Sequence, residues 1–153
     1  MTLVPSLTPF TCALACLESF FLDIESTLNQ CEILKKFPQF CTNPDINKRH
    51  EFGAMSEDQM VGFCRHLNFK VGYFRDFNQL NVEASFRNWL LPNKCVLICL
   101  LWKGQTNHCV RLSRIISDGK YEVMNPSLGV AEWSEVTFDE LVDWDFRFLL
   151  IGT

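Results

Sequence analysis

No lysine or arginine occurs before Lys35, so the chain has no basic region of the kind that opens a secretory signal. The segment Ala13-Leu14-Ala15-Cys16 mimics a lipoprotein cleavage site but lacks that upstream charge. Long apolar runs are missing as well. The longest, residues 95–102, falls far short of the roughly 20 residues a spanning helix needs. No membrane partner is expected. Cys-x-x-Cys is absent, and no pair of cysteines is followed by a matching pair at zinc-ribbon spacing. Internal repeats and low-complexity segments are also absent. The chain is not basic: its net charge is −4, which speaks against nucleic acid or an anionic membrane as partner.

What is present describes one globular domain spanning residues 1–153. Apolar residues make up 48% and charged residues 21%, which excludes general disorder. At 153 residues, folding buries roughly 70% of the chain surface, so the core needs no covalent staples. Fourteen phenylalanines must mostly go inside. Eight cysteines are many for this length. Cys95, Cys99 and Cys109 stand among aliphatic residues, where a free thiol behaves as a small hydrophobe. A reducing, cytoplasmic compartment and mostly structural thiols are expected.

Apolar residues recur at Leu14, Leu17, Phe20, Phe21, Ile24 and Leu28, which predicts a helix capped by Thr8 or Thr11. A second helix is predicted over 30–37, ended by Pro38, and then a long loop over 38–53 that overhangs any neighbouring cleft or is a solvated connection. Ser56-Glu57-Asp58-Gln59 is a capping box ahead of the apolar face Met60, Phe63, Cys64 and Leu67. A strand is predicted over 69–74, then a helix capped by Asn81 that stops at Pro92. Strands follow over 95–102, 108–116 and 121–124, the last two joined at Asp118-Gly119, with Asn125-Pro126 ending the third. Thr137 caps a short helix to residue 144, and residues 146–151 form a closing strand. Helices first and antiparallel strands second is the α+β pattern.

Three residues can carry chemistry together: Cys12, His108 and Asn125. Cys12 lies in the first turn of the opening helix, where unpaired N–H groups and the helix dipole favour thiolate over thiol. His108 begins one strand and Asn125 ends the next. A base on the sheet can activate a nucleophile on the helix, while an amide oxygen fixes the ring's tautomer. Each residue also has a plainer reading, as core thiol, surface histidine and turn asparagine. The hairpin count is demanding. An ideal two-residue turn at Asp118-Gly119 places Leu112 opposite Asn125, which leaves His108 four residues further along, about 13 Å by strand rise. A bulge or strong twist must close that gap. Cys16, one turn beyond Cys12, is expected in the core. Trp102 and Trp133 flank the site in sequence and either line it or belong to the core. Cys64-Arg65-His66 is the best metal fragment, but on a helix its side chains point different ways, so no metal or cofactor is expected.

The segment Thr11-Cys12-Ala13-Leu14-Ala15-Cys16-Leu17 resembles the D-C-G-x-A-[CS]-L box of the bacteriocin-processing, double-glycine-leader peptidases, which are small papain-like cysteine peptidases. His108-Cys109-Val110-Arg111-Leu112 resembles their H-[FY]-V-V-L strand, and Asn125-Pro126-Ser127-Leu128-Gly129 their D-P-x-x-G turn. The resemblance implies a papain-like fold with N-terminal helices on a C-terminal antiparallel sheet. It also implies Cys12 as nucleophile, His108 as base, Asn125 as orienting group, and a peptide or protein substrate. Departures are clear. Thr11 replaces Asp, Ala13 replaces Gly and Asn125 replaces Asp. Ser6 stands where the family carries an oxyanion-donating Gln, and the exporter parts of its fused members have no counterpart here. Two functions stay open: a cysteine hydrolase (or a deamidase or acyltransferase with the same thiol chemistry), and a weakened papain-like domain that binds a peptide or partner. The sequence does not fix an oligomeric state.

Overall fold

The computed structural model describes residues 1–44, 53–75 and 77–153. In chain order the elements are α1 (Cys12–Asp23), α2 (Gln30–Lys36), a 3-10 turn (Pro38–Phe40), α3 (Glu57–His66), β1 (Lys70–Phe74), α4 (Gln79–Trp89), β2 (Lys94–Trp102), β3 (Thr106–Ser117), β4 (Lys120–Ser127), β5 (Val130–Thr137), α5 (Phe138–Asp143) and β6 (Arg147–Gly152). The six strands form one sheet in the order β1-β6-β2-β3-β4-β5, and every neighbouring pair is antiparallel. The class is α+β, as expected.

Strand alternation sends side chains to two separate cores. Cys95, Leu97, Cys99, Cys109, Met124, Leu149 and Ile151 face one way and pack with α1, α2 and α3. Val96, Ile98, Leu100, Val110, Leu112, Tyr121, Val123, Phe148 and Leu150 face the other way and pack with α4 and α5.

Helix α1 is apolar over most of its circumference, and eight of its residues are buried, from Ala13 to Phe21. It ends at Asp23, short of the predicted Leu28. Glu25 takes a left-handed φ of 61°, and the Ser26 N–H bonds back to the Phe21 carbonyl at 2.8 Å, so the chain reverses there. Arg111 on β3 ties this helix to the sheet. Its Nη1 donates to Ser19 Oγ at 2.8 Å and Asp23 Oδ2 at 2.7 Å.

Helix α3 begins at the predicted Ser56 capping box. The cap of α4 is Asn78 rather than Asn81. Asn78 Oδ1 accepts from the Asn81 N–H at 3.0 Å, so Asn81 is the capped residue. The helix therefore starts three residues earlier than expected, at Gln79, with Asn81 inside its first turn. Strand β4 runs through Asn125 and Pro126 to Ser127 instead of ending there. Its pairing with β3 reaches only Arg111–Met124, so Pro126 has a strand on one side alone, where a missing N–H is tolerated. Strand β5 was not anticipated. It is an edge strand with only Val136 buried, so it lacks a two-residue apolar period.

Residues 38–53 are not one plain loop. They open with the 3-10 turn, and Thr42 bridges Ala54 across them. Residues 45–52, where an overhang was expected, lie outside the described residues. Among the described residues no helix is long and apolar enough to cross a membrane.

Candidate active site

Cys12 is the first residue of α1. Thr11 occupies the N-cap position, but its hydroxyl turns away from the helix. It accepts from the Thr8 N–H at 3.0 Å and donates to the Thr8 carbonyl at 3.2 Å. The first N–H groups of α1 are therefore left without a side-chain cap, on the side where Cys12 stands.

The expectation of a lowered thiol pKa does not hold. Burial pushes Cys12 up from its ordinary value, and the neighbouring Cys99 adds to this. The N–H groups of Cys109, Ala13 and Cys12 itself oppose the rise without cancelling it. Helix-start dipoles stabilise a thiolate, but desolvation here is the larger effect. Cys12 rests as a neutral thiol at pH 7. It remains partly exposed, whereas Cys16 lies fully in the core and directs its Sγ toward the Cys109 carbonyl at 3.4 Å.

His108 and Asn125 meet. Nε2 of the ring lies 2.6 Å from Asn125 Oδ1. The amide oxygen only accepts, so Nε2 carries the hydrogen, and the neutral ring keeps its lone pair on Nδ1. Burial pulls the His108 pKa below its ordinary value, and the bond to Asn125 opposes this only in part. The ring is therefore neutral at pH 7.

The predicted gap closes through two irregularities of the β3–β4 hairpin. Ser117 pairs with Lys120 as an ideal turn requires. Register then shifts between Ile115 and Ser117 and again between Leu112 and Arg114. Each shift places one extra residue on β3, so Leu112 faces Val123 and Arg111 faces Met124. Continuing that register puts Val110, not Leu112, opposite Asn125. His108 is then two residues away on the same sheet face, within side-chain reach.

Cys12 and His108 both line a cavity of about 570 Å³. Phe10, Ala54, Met55 and Met60 give it apolar lining, and Gln105, Thr106 and Asn107 add polar groups. Glu57 also lines the cavity and is held by Arg147 at 2.8 Å. Among the described residues no hydrogen bond joins the Cys12 thiol to the ring; they share the cavity from opposite faces of the sheet.

Ser6 lies off this cavity wall. Its backbone bridges the β4–β5 turn, donating to the Ser127 carbonyl at 2.9 Å and accepting from the Gly129 N–H at 3.1 Å. Its Oγ is buried without a hydrogen-bond partner. Trp102 packs on His108 edge to face, ring centres 5.3 Å apart. Sequence reading left its role open, although counting the short turn at Gly104 sets it diagonal to His108. Trp133, by contrast, is 44% exposed on the edge strand. Cys64 is in the core and His66 packs on Phe37 and Phe40. Among the described residues no cluster of His, Cys, Asp or Glu fits a metal ion.

No protein-family model matches the chain, and no curated protein does. Solved structures do. The peptidase domain of Streptococcus ComA, described as a bifunctional ABC transporter involved in a quorum-sensing pathway, superposes with a TM-score of 0.66 at 11% identity, over 99% of this chain and 98% of that one. The Pseudomonas avirulence protein AvrPphB matches at a TM-score of 0.35 and 10% identity, over 99% of this chain and 97% of that one. The first likeness extends from end to end, and what it shows is the fold: the chain shares the α+β architecture of that peptidase domain, with helices packed on one antiparallel sheet.

Proposed function

We propose that the protein is a cysteine-dependent hydrolase acting on a peptide or amide bond, with Cys12 as nucleophile, His108 as base and Asn125 as orienting group. The 2.6 Å bond between His108 Nε2 and Asn125 Oδ1 carries the reading, because it leaves Nδ1 as the ring's proton acceptor beside the cavity that Cys12 also lines.

Both partners rest neutral, so the proton moves during attack rather than beforehand. Nδ1 takes the thiol proton as Sγ bonds to the substrate carbonyl carbon, and the carbonyl electron pair moves onto oxygen. The uncapped N–H groups at the start of α1 supply donors for that oxygen. Collapse expels the amine, which takes the proton from Nδ1 and leaves a thioester on Cys12. Water, deprotonated by the same nitrogen, attacks the thioester and releases the acid and the free thiol. Transfer to an amine acceptor, or attack on a side-chain amide, uses the same residues.

A second reading has its own support. Ser6 occupies the place where the resembling family carries its Gln donor, and one missing oxyanion donor costs roughly 100- to 1000-fold in rate. With a raised Cys12 thiol as well, the domain would bind a peptide and turn it over slowly or not at all.

A panel of peptide and isopeptide substrates, run on wild type and Cys12→Ala, separates the two. Hydrolysis lost in Cys12→Ala and a thioester on Cys12 seen by mass spectrometry support the hydrolase. Binding that survives Cys12→Ala, with no turnover of any substrate, supports the binding domain. The pH profile tests the neutral pair. Activity should fall as pH drops through a His108 midpoint below the ordinary value of about 6.5. Iodoacetamide labelling of Cys12 should rise with pH through a midpoint above 9.0. A labelling plateau reached below pH 7 would mean a preformed thiolate and overturn this mechanism.

A further inference from the structure

We propose that Glu57 is a specificity-determining residue: the cavity beside Cys12 takes a lysine or arginine side chain of the bound peptide, with its charged head on the Glu57 carboxylate. This names the substrate class of the site proposed above. It rests on that reading for its chemistry, but not for the binding itself.

The cavity supplies what such a side chain needs at both of its ends. Phe10, Met55 and Met60 line it, and long cationic side chains lay their methylene stems along apolar surface of this kind. Methionine is unbranched and polarizable, so two of them mould readily to an inserted chain. At about 570 Å³ the cavity lies within the range of roughly 300–1,000 Å³ typical of small-ligand pockets. Among the described residues Glu57 is the only Asp, Glu, Lys or Arg that lines it. A stem that enters over the two methionines therefore finds a single charged group, and it is a carboxylate.

Glu57 is fixed yet reachable. It is the first residue of α3, set in place by the Ser56 capping box. Its Oε1 lies 2.8 Å from Arg147 Nη2, and its side chain is 27% exposed. Among the described residues Oε2 has no hydrogen bond or ion pair. Arg147 does not cancel the charge. It also lies 3.4 Å from Asp145 Oδ2, so one guanidinium answers two carboxylates and one negative charge is left over. Asp145 is 69% exposed and does not line the cavity, so water screens it more than it screens Glu57. An incoming ammonium or guanidinium thus meets a held carboxylate with one free oxygen. The net charge of −4 on the whole chain also draws cationic peptides on approach. A neutral side chain of equal length would gain the apolar contacts alone.

The test uses the full chain carrying Cys12→Ala, so that nothing is turned over. The probes are two N-acetylated, C-amidated pentapeptides, Ala-Ala-Lys-Ala-Ala and the same peptide with norleucine at its centre. Binding is followed by the NMR methyl signals of Met55 and Met60. The lysine peptide should bind about 10-fold more tightly than the norleucine peptide, the size of one charge-assisted contact at a partly exposed carboxylate. Adding Glu57→Gln should bring the two to equal affinity. Equal affinities with Glu57 in place, or a lysine preference that survives Glu57→Gln, would overturn the proposal. If Glu57→Gln does not fold because Arg147 loses its partner, Glu57→Gln with Arg147→Met replaces it, with the same expected loss of preference. The hydrolase reading is tested apart from this, by alkylation of wild-type Cys12 with dipeptidyl chloromethyl ketones containing lysine or norleucine, read by mass spectrometry. A lysine preference in the NMR titration without alkylation by any of them would keep the pocket and remove the hydrolase. Alkylation with no lysine preference in the titration would keep the hydrolase and remove the pocket.

Discussion

The two faces of the sheet are built differently. On the α1 side the sheet presents Cys95, Cys99, Cys109 and Met124 among its aliphatic residues, and the buried Arg111 crosses to Asp23. On the α4–α5 side the sheet carries rings of its own, Phe148 and Tyr121, which join Phe86, Phe146 and Phe77 at ring separations of 4.7 to 6.5 Å, whereas the rings of the α1 side, Phe20, Phe21 and Phe63, come from the helices. Cys12 comes from the first side, and His108 and Asn125 share the second with Val110 and Val123. The site forms where a strand end lets both faces reach one cavity. One face supplies a soft, thiol-lined seat for a helix, and the other a rigid frame for a ring.

The sharpest way to break this comparison is to take single residues from the aromatic side. His108→Ala should lower turnover by about 100- to 10,000-fold while the thermal midpoint stays nearly unchanged. A large drop in that midpoint would make His108 part of the frame instead. Phe148→Ala should do the reverse. It removes a ring that touches Phe74, Phe77 and Phe86, and should cost about 3–5 kcal/mol in denaturant unfolding. Leu17→Ala on the opposite face should cost about 2–5 kcal/mol by the same measurement. Equal and small losses would mean that neither face is closely packed.

The ion pair between Arg111 and Asp23 tests the first side. Arg111→Ala should cost about 2–3 kcal/mol, because the guanidinium is buried while Asp23 keeps some contact with water. Desolvation pushes the Asp23 carboxyl up, but the Arg111 charge and the hydrogen bonds from Thr2 and Arg111 outweigh it and hold it below the usual carboxylate range. A lowered folded pKa stabilises above the unfolded value, and that stability is lost as pH falls through the folded one. Thermal midpoints of wild type should therefore drop below about pH 4, and Asp23→Asn should flatten that dependence. The smallest expected effect concerns α4, which closes the aromatic side. Asn78→Ala should cost about 1 kcal/mol and Asn81→Ala close to nothing. The opposite ranking would return the cap to Asn81.

Much of the fold was legible because burial imposes a period. The 3.6-residue spacing of α1, the Ser56 and Thr137 capping boxes and the apolar run of β2 each state their element locally. Strand β5 was silent for the same reason in reverse: an edge strand that buries only Val136 needs no pattern. The site was legible in part. Cys12 at a helix start, and His108 and Asn125 on successive strands, are chemical choices visible in one dimension. The sulfur's acidity was not. A helix start predicts a lowered thiol, but the depth at which α1 sits against β3 raises it.

What the sequence determined by itself was the class of the fold and the residue types able to do thiol chemistry, because apolar period, cap chemistry and turn chemistry are local properties. The tertiary structure decided whether those residues could meet. Two extra residues on β3, invisible to any spacing rule, shift its register by two and bring Asn125 within reach of His108. Desolvation, which depends on what packs around a group and not on its neighbours in the chain, set the charge that Cys12 and His108 carry.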